Sequence, residues 1–85
     1  MNEILYNKKA AKQLVKLKEV GRTLRLQIDA ALEQFPNSRN VKKLHNHEYT
    51  YRLRVNDFRI FFEHDSEVRI IYIEKVERRN ERTYK

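Results

Sequence analysis

Tyr51–Arg59, YRLRVNDFR, is the stretch whose reading decides the fold. Successive side chains of a strand point to opposite faces, so Tyr51, Leu53 and Val55 share one face and Arg52 and Arg54 the other. Asn56-Asp57 has the composition of a two-residue hairpin loop. That loop pairs Val55 with Phe58, Arg54 with Arg59, Leu53 with Ile60 and Arg52 with Phe61. Two arginines then stand directly opposite each other. Like charges in that position destabilise a strand pair, where favourable pairs contribute roughly 0.2–1 kcal/mol. The register therefore implies an anion that the free chain lacks.

Downstream, Phe58 to His64 and Glu67 to about Val76 have strand composition, and Asp65-Ser66 suits a second tight turn. Carried through, that turn pairs His64 with Glu67, Ile60 with Ile71, Arg59 with Tyr72 and Phe58 with Ile73. One face then holds Leu53, Val55, Phe58, Ile60, Ile71 and Ile73. The other holds Arg52, Arg54, Arg59, Phe61, Ile70 and Tyr72. Arg69 falls on the core side opposite Phe62, with its stem packed and its head reaching water. A slip of one residue would exchange the two faces. On the upstream side the first strand of the hairpin is expected to begin near Glu48.

Further upstream, Ile4, Leu5 and Tyr6 form a short apolar run closed by Asn7, a brief strand or extended lead-in. From Lys8 to about Val20, Ala10, Leu14 and Leu17 recur at helical spacing with lysines over the remaining surface. Gly21 stands where a helix C-cap is wanted, because glycine enters the left-handed conformation without a Cβ clash. Arg22 to Phe35 reads as a second helix on Leu24, Ile28, Ala31, Leu32 and Phe35, stopped by Pro36. Two such stripes pack as a helical hairpin. The expected fold is α+β: an N-terminal strand and a two-helix hairpin on one face of a small, mainly antiparallel twisted sheet.

Eighty-five residues are read as a single domain, 1–85, which at this size buries only about 60% of the surface its unfolded chain exposes. There is no cysteine, so disulfides and thiolate zinc sites are excluded. The N-terminal residues lack a signal peptide's apolar run, and no stretch approaches the ~20 apolar residues of a membrane span. A cytoplasmic protein is expected. One glycine rules out a phosphate-cradling glycine-rich loop. Ser38 and Ser66 sit in no nucleophile motif. His45 and His47 lack the carboxylate or thiolate partners of a usual metal site, and His64 reads likewise, so no metal and no other cofactor are expected.

Nineteen Lys and Arg against twelve Asp and Glu leave a formal charge of +7, which points to a polyanion or a strongly acidic protein as partner. Lysines dominate the first helix. Arginines dominate the C-terminal half, between aromatic and branched residues, where a planar guanidinium binds phosphate bidentately. A solvated face would also carry arginines, but the opposed like charges of residues 54 and 59 count against it. RNA phosphate is the expected ligand, with Phe61 and Tyr72 as stacking surfaces for a base and Lys43, Arg79 and Arg82 as further RNA contacts. Intramolecular RNA cleavage needs an in-line 2′-hydroxyl, neutralisation of charge on the phosphoryl oxygens, and proton transfer. Arg52, Arg54 and Arg59 meet the second need. A guanidinium does not deprotonate, so the general base would be Lys43, His45, His47, Glu48 or Tyr84, or would come from the ribosome.

Lys43-Leu44, YRLRVNDFRI and the arginine-rich ending that closes on Tyr84, set behind a helical hairpin, resemble the RelE branch of the RelE/ParE toxin superfamily of bacterial type II toxin-antitoxin systems. The likeness runs over nearly the whole chain. It implies a toxin that enters the ribosomal A site, cleaves mRNA there to leave a cyclic phosphate, and is neutralised by a cognate antitoxin. It also implies roles for single residues. Arg52 and Arg54 match the two basic strand residues, Arg59 the phosphate-binding arginine and Tyr84 the tyrosine stacking on the cleaved nucleotide. Arg78 best matches the remaining arginine, six residues before that tyrosine, and Arg79 also fits. One departure matters: RelE commonly has lysine where this chain has Arg52 and Arg54, and one of those lysines is a proposed general base. On the same scaffold the resemblance leaves open a ParE-like toxin that poisons DNA gyrase without cutting RNA, and a non-catalytic RNA-binding module.

Overall fold

The computed structural model describes residues 1–79. The element order is β1 (Glu3–Tyr6), α1 (Lys8–Lys16), α2 (Glu19–Leu32), β2 (Val41–Lys43), β3 (Tyr51–Val55), β4 (Phe58–Asp65) and β5 (Ile70–Arg78). The sheet has five strands in the order β1-β5-β4-β3-β2. β1 runs parallel to β5 and every other pair is antiparallel. Because β1 and β2 occupy opposite edges, the chain between them must cross one face of the sheet. The helical hairpin makes that crossing and covers the face.

The core follows. Ala10 and Leu14 of α1, Leu24, Ile28 and Leu32 of α2, and Leu53, Phe58, Ile60, Phe62, Ile71, Ile73 and Val76 of the sheet form one buried cluster. Asn7 caps α1, its Oδ1 accepting from the Ala10 N–H at 2.8 Å, which satisfies one of the donors a helix start leaves open. Asn2 holds the other end of the hairpin by donating from Nδ2 to the carbonyls of Leu32, Glu33 and Phe35.

The helix boundary differs from the expected one. α1 ends at Lys16, and Lys18, not Gly21, takes the left-handed turn, with φ of 56°. Gly21 lies inside α2 and is buried. A Cβ there would sit 2.0 Å from the Leu14 carbonyl oxygen, so glycine is required for the close approach of α2 to α1 rather than for a cap. The second helix also stops earlier than expected, at Leu32. Residues 33–36 form turns, and Phe35 instead sets its ring edge against Tyr51 and Phe62.

The β3–β4 hairpin has the expected register, Arg54 opposite Arg59 and Arg52 opposite Phe61, and Asn56 takes the left-handed conformation at φ 54° that the short turn demands. The β4–β5 pairing does not. Asp65 pairs with Ile70, so the loop is Ser66–Arg69 and the register moves by four residues: His64 faces Ile71 and Phe62 faces Ile73. Asp65 causes this. Its Oδ1 accepts from the Glu67 and Val68 N–H groups, making the aspartate the first residue of a longer turn. Arg69 closes that turn at φ 60° and is exposed, not opposite Phe62. An even shift keeps Ile71 and Ile73 in the core and Tyr72 on the other face.

A bulge then changes the parity. Phe61 pairs with Lys75 while Phe62 pairs with Ile73, leaving Glu74 as the extra residue. Below it, Val76 faces Ile60 in the core and Glu77 faces Arg59 on the uncovered side. The freed Val76 N–H is taken by Gln13 of α1, at 2.7 Å from its Oε1. β3 starts at Tyr51, not Glu48, because residues 45–50 form bends, and β2 is a strand that the periodicity of so short a segment does not reveal.

Candidate functional site

The uncovered face of the sheet gathers the cations. Residues directly opposite in a ladder share a face, so the pairings Lys42–Arg52, Arg52–Phe61 and Phe61–Lys75 lay one row across β2, β3, β4 and β5. The next row is Arg54, Arg59 and Glu77. Lys42, Lys75 and Glu77 were not singled out in the sequence. Lys42 was hidden because β2 is three residues long, and the other two because the bulge at Glu74 decides which way they face.

Glu77 corrects one expectation outright. The anion required by the facing Arg54 and Arg59 is present in the protein itself. Arg59 Nη2 lies 2.9 Å from Glu77 Oε2, and Lys75 Nζ lies 3.2 Å from Oε1 of the same carboxylate. This face is therefore neutralised in part by one acidic side chain, at the position where the register had called for an outside ligand.

The compensation is incomplete. The Arg52 guanidinium is held below its ordinary pKa by burial first, then by the charges of Arg54, Arg59 and Arg79. It remains charged, since arginine does not lose its proton in proteins, in a setting that disfavours the charge. Arg52 Nε and Arg59 Nε are both buried and, among the described residues, neither has a hydrogen-bond partner. Buried donors left open are costly, about 1–3 kcal/mol each. Two of them on one cationic face mark a place where a polar anion would be bound.

The C-terminal arginines divide. Arg78 pairs with Phe58 on the helix-covered side of the sheet, its guanidinium carbon 4.8 Å from the Phe58 ring centroid. Arg79 is the one whose charge is felt at Arg52, and its backbone N–H donates to the Asp57 carbonyl, anchoring the strand end beside the β3–β4 turn. Lys43 is exposed and pairs with Tyr51, so it shares the core-side parity while Lys42 shares that of Arg52. Tyr72 is 37% exposed and lies beside Leu5 of β1, two strands away from Arg52. Arg82 and Tyr84 lie outside the described residues.

Phe61 is on the arginine face yet only 6% exposed. The loop 44–50 covers it. Leu44 N–H donates to the Thr50 carbonyl and Thr50 N–H to Glu63 Oε2, closing a loop in which Asn46 has φ 52°. His47 and Tyr49 are thereby laid on Phe61, with ring centroids 5.3 and 5.4 Å away. His45 is exposed, and Glu48 is too.

A family model matches residues 4–83, that of the ParE toxin of type II toxin-antitoxin systems, parDE. The chain belongs to the ParE toxin family. This places the toxin in the RelE/ParE superfamily, and solved structures agree with the fold. It superposes on a chain of the archaeal RelE–RelB complex from Pyrococcus horikoshii with a TM-score of 0.76 at 25% identity, covering 94% of this chain and 97% of that one. Against the Mycobacterium tuberculosis toxin-antitoxin complex RelBE2 the TM-score is 0.70 at 25% identity, with 92% and 98% covered. The isolated E. coli RelE toxin shares the fold at 18% identity, TM-score 0.72, with 94% and 86% covered. A search of curated protein sequences finds no match. Among the described residues no helix of the toxin is long and apolar enough to cross a membrane.

Proposed function

We propose that this toxin is a ribosome-dependent endoribonuclease that cuts mRNA in the A site by attack of a 2′-hydroxyl on the adjacent phosphate, and so stops translation. The observation that carries the reading is the gathering of Arg52, Arg54 and Arg59 on an uncovered sheet face with two of their Nε donors buried and open. A scissile phosphate would accept from those donors and displace Glu77 from Arg59. Arg79 adds charge to the same place, and Tyr84 would stack on the cut nucleotide. Guanidiniums stabilise charge that grows on phosphoryl oxygens in the transition state.

Proton transfer is left to another group. His47 Nδ1 already accepts from the Tyr49 N–H at 3.0 Å, which occupies the lone pair a base would use there. Glu77 is already engaged by two cations, Arg59 and Lys75. Lys43, His45, Glu48, Tyr84 or the ribosome would supply it. The same cationic face suits a cognate antitoxin with an acidic segment, and the Pyrococcus and Mycobacterium relatives were solved in toxin-antitoxin complexes.

Membership of the ParE toxin family favours a second reading, the gyrase-poisoning toxin without RNase activity that the sequence resemblance left open. Mapping RNA ends in a translating extract, with and without the protein, separates the two. Cuts within codons that need active ribosomes are expected. Intact messages together with gyrase-linked DNA breaks would overturn the nuclease reading.

A further inference from the structure

On the uncovered face of the sheet, three aromatic rings pack into a cluster beside Arg52. Phe61 lies directly opposite Arg52, its side chain about 5 Å away across the ladder. His47 is stacked on Phe61 at 5.3 Å and an interplanar angle of 15°, while Tyr49 meets both rings at tilted angles of 44° and 30°. Phe61 is buried and Tyr49 half-buried, but His47 is exposed. Its orientation is held from three directions: the stack below, the Tyr49 N–H on Nδ1, and a loop closed by the Leu44–Thr50 hydrogen bond.

A histidine without a task at the tip of a polar loop would turn freely in water. This one is set flat, parallel to a buried phenylalanine, with a ring face outward, and that phenylalanine stands directly opposite Arg52. Single-stranded nucleic acid is bound by that combination, cations tracking the phosphates and an aromatic face taking the base. An unpaired base of RNA is recognised in the same way.

We propose that the outer face of His47 is a stacking platform for one nucleobase of the RNA strand whose phosphate lies on Arg52, Arg54 and Arg59. The proposal rests on the RNA reading above and adds a positioning residue to it. Phe61 acts as the floor that keeps the imidazole flat, and the loop 44–50 determines which nucleotide of the strand is held.

The test uses the full chain on ribosomes stalled on a message whose A-site codon carries 2-aminopurine in turn at each position and a 2′-deoxy sugar at the cleavage point. The wild type is expected to quench the fluorescence at one position besides that of the cut nucleotide, on which Tyr84 would stack. His47→Ala removes that quenching and weakens association by about tenfold, within the range that loss of one stacked base produces. His47→Phe keeps both, since it retains the ring face and loses only the nitrogen. Thermal unfolding of each variant checks that the loop is intact. Undiminished quenching by His47→Ala, or behaviour of His47→Phe like that of His47→Ala, overturns the platform while Arg52→Ala still weakens association. If Arg52→Ala associates like the wild type and no position is quenched, the RNA reading itself falls, and the platform with it.

Discussion

Arg59 and Glu77 carry opposite consequences for folding and for function. Arg59→Ala removes an ion pair and at the same time the repulsion with Arg54, two small effects of opposite sign. Its unfolding free energy should change by less than about 0.5 kcal/mol, while RNA cutting is lost. A large fall in the urea midpoint would show that Arg59 is structural. Glu77→Gln leaves Arg59 and Lys75 without their shared carboxylate. It should cost roughly 0.2–1 kcal/mol, the range of partly exposed ion pairs, with the loss reduced in high salt. Association with RNA should strengthen, because the phosphate no longer competes with a resident carboxylate. Of these residues the two arginines could be read from the alternation of YRLRVNDFR. Glu77 could not, because its direction depends on one extra residue in β5, beside which the Val76 N–H donates to Gln13 of a distant helix.

At the scale of elements, the helical hairpin rests on one close contact and one polar tie. Gly21→Ala improves helix propensity by about 1 kcal/mol yet drives a methyl group into the Leu14 carbonyl. The clash should dominate, with a net loss on the order of 1–3 kcal/mol in denaturant titration, whereas a solvent-side Ala substitution in α2 such as Gln27→Ala should be near neutral. Tyr6 of β1 donates to Asp29 of α2 at 2.6 Å with Arg25 stacked 4.5 Å from its ring centroid. Burial first, and the aspartate second, hold its pKa far above the usual tyrosine range. The folded chain therefore keeps a proton that the unfolded chain releases near pH 10. Stability from this source is intact below about pH 10 and falls above it, by up to about 1.4 kcal/mol per pH unit. Tyr6→Phe should cost about 1 kcal/mol at neutral pH and flatten that alkaline decline. An unchanged slope would place the responsible group elsewhere.

Across the whole molecule, one face of the sheet is covered by helices and the other carries Lys42, Arg52, Arg54, Arg59 and Lys75. Such asymmetry makes binding of a polyanion depend on salt. On the RNA reading, the logarithm of the association constant should fall linearly with that of salt concentration, by about 0.7 for each phosphate of a single strand that is neutralised. Arg54→Ala should reduce that slope by roughly one such increment, and a slope unaffected by the variant would remove Arg54 from the contact. An acidic antitoxin segment on the same face would show the same trend with salt.

Residue alternation and turn chemistry determined the α+β class, the β3–β4 register and the arginine face, because strand period and the conformation of Asn56 are local properties. Local spacing also reached the apolar stripes of both helices. Tertiary structure alone decided the length of the Ser66–Arg69 loop, the bulge at Glu74, the directions of Arg78 and Arg79, and the folding of His47 over Phe61. Each of these depends on a partner distant in sequence or on a side chain competing for backbone donors, and no local pattern encodes the outcome of that competition.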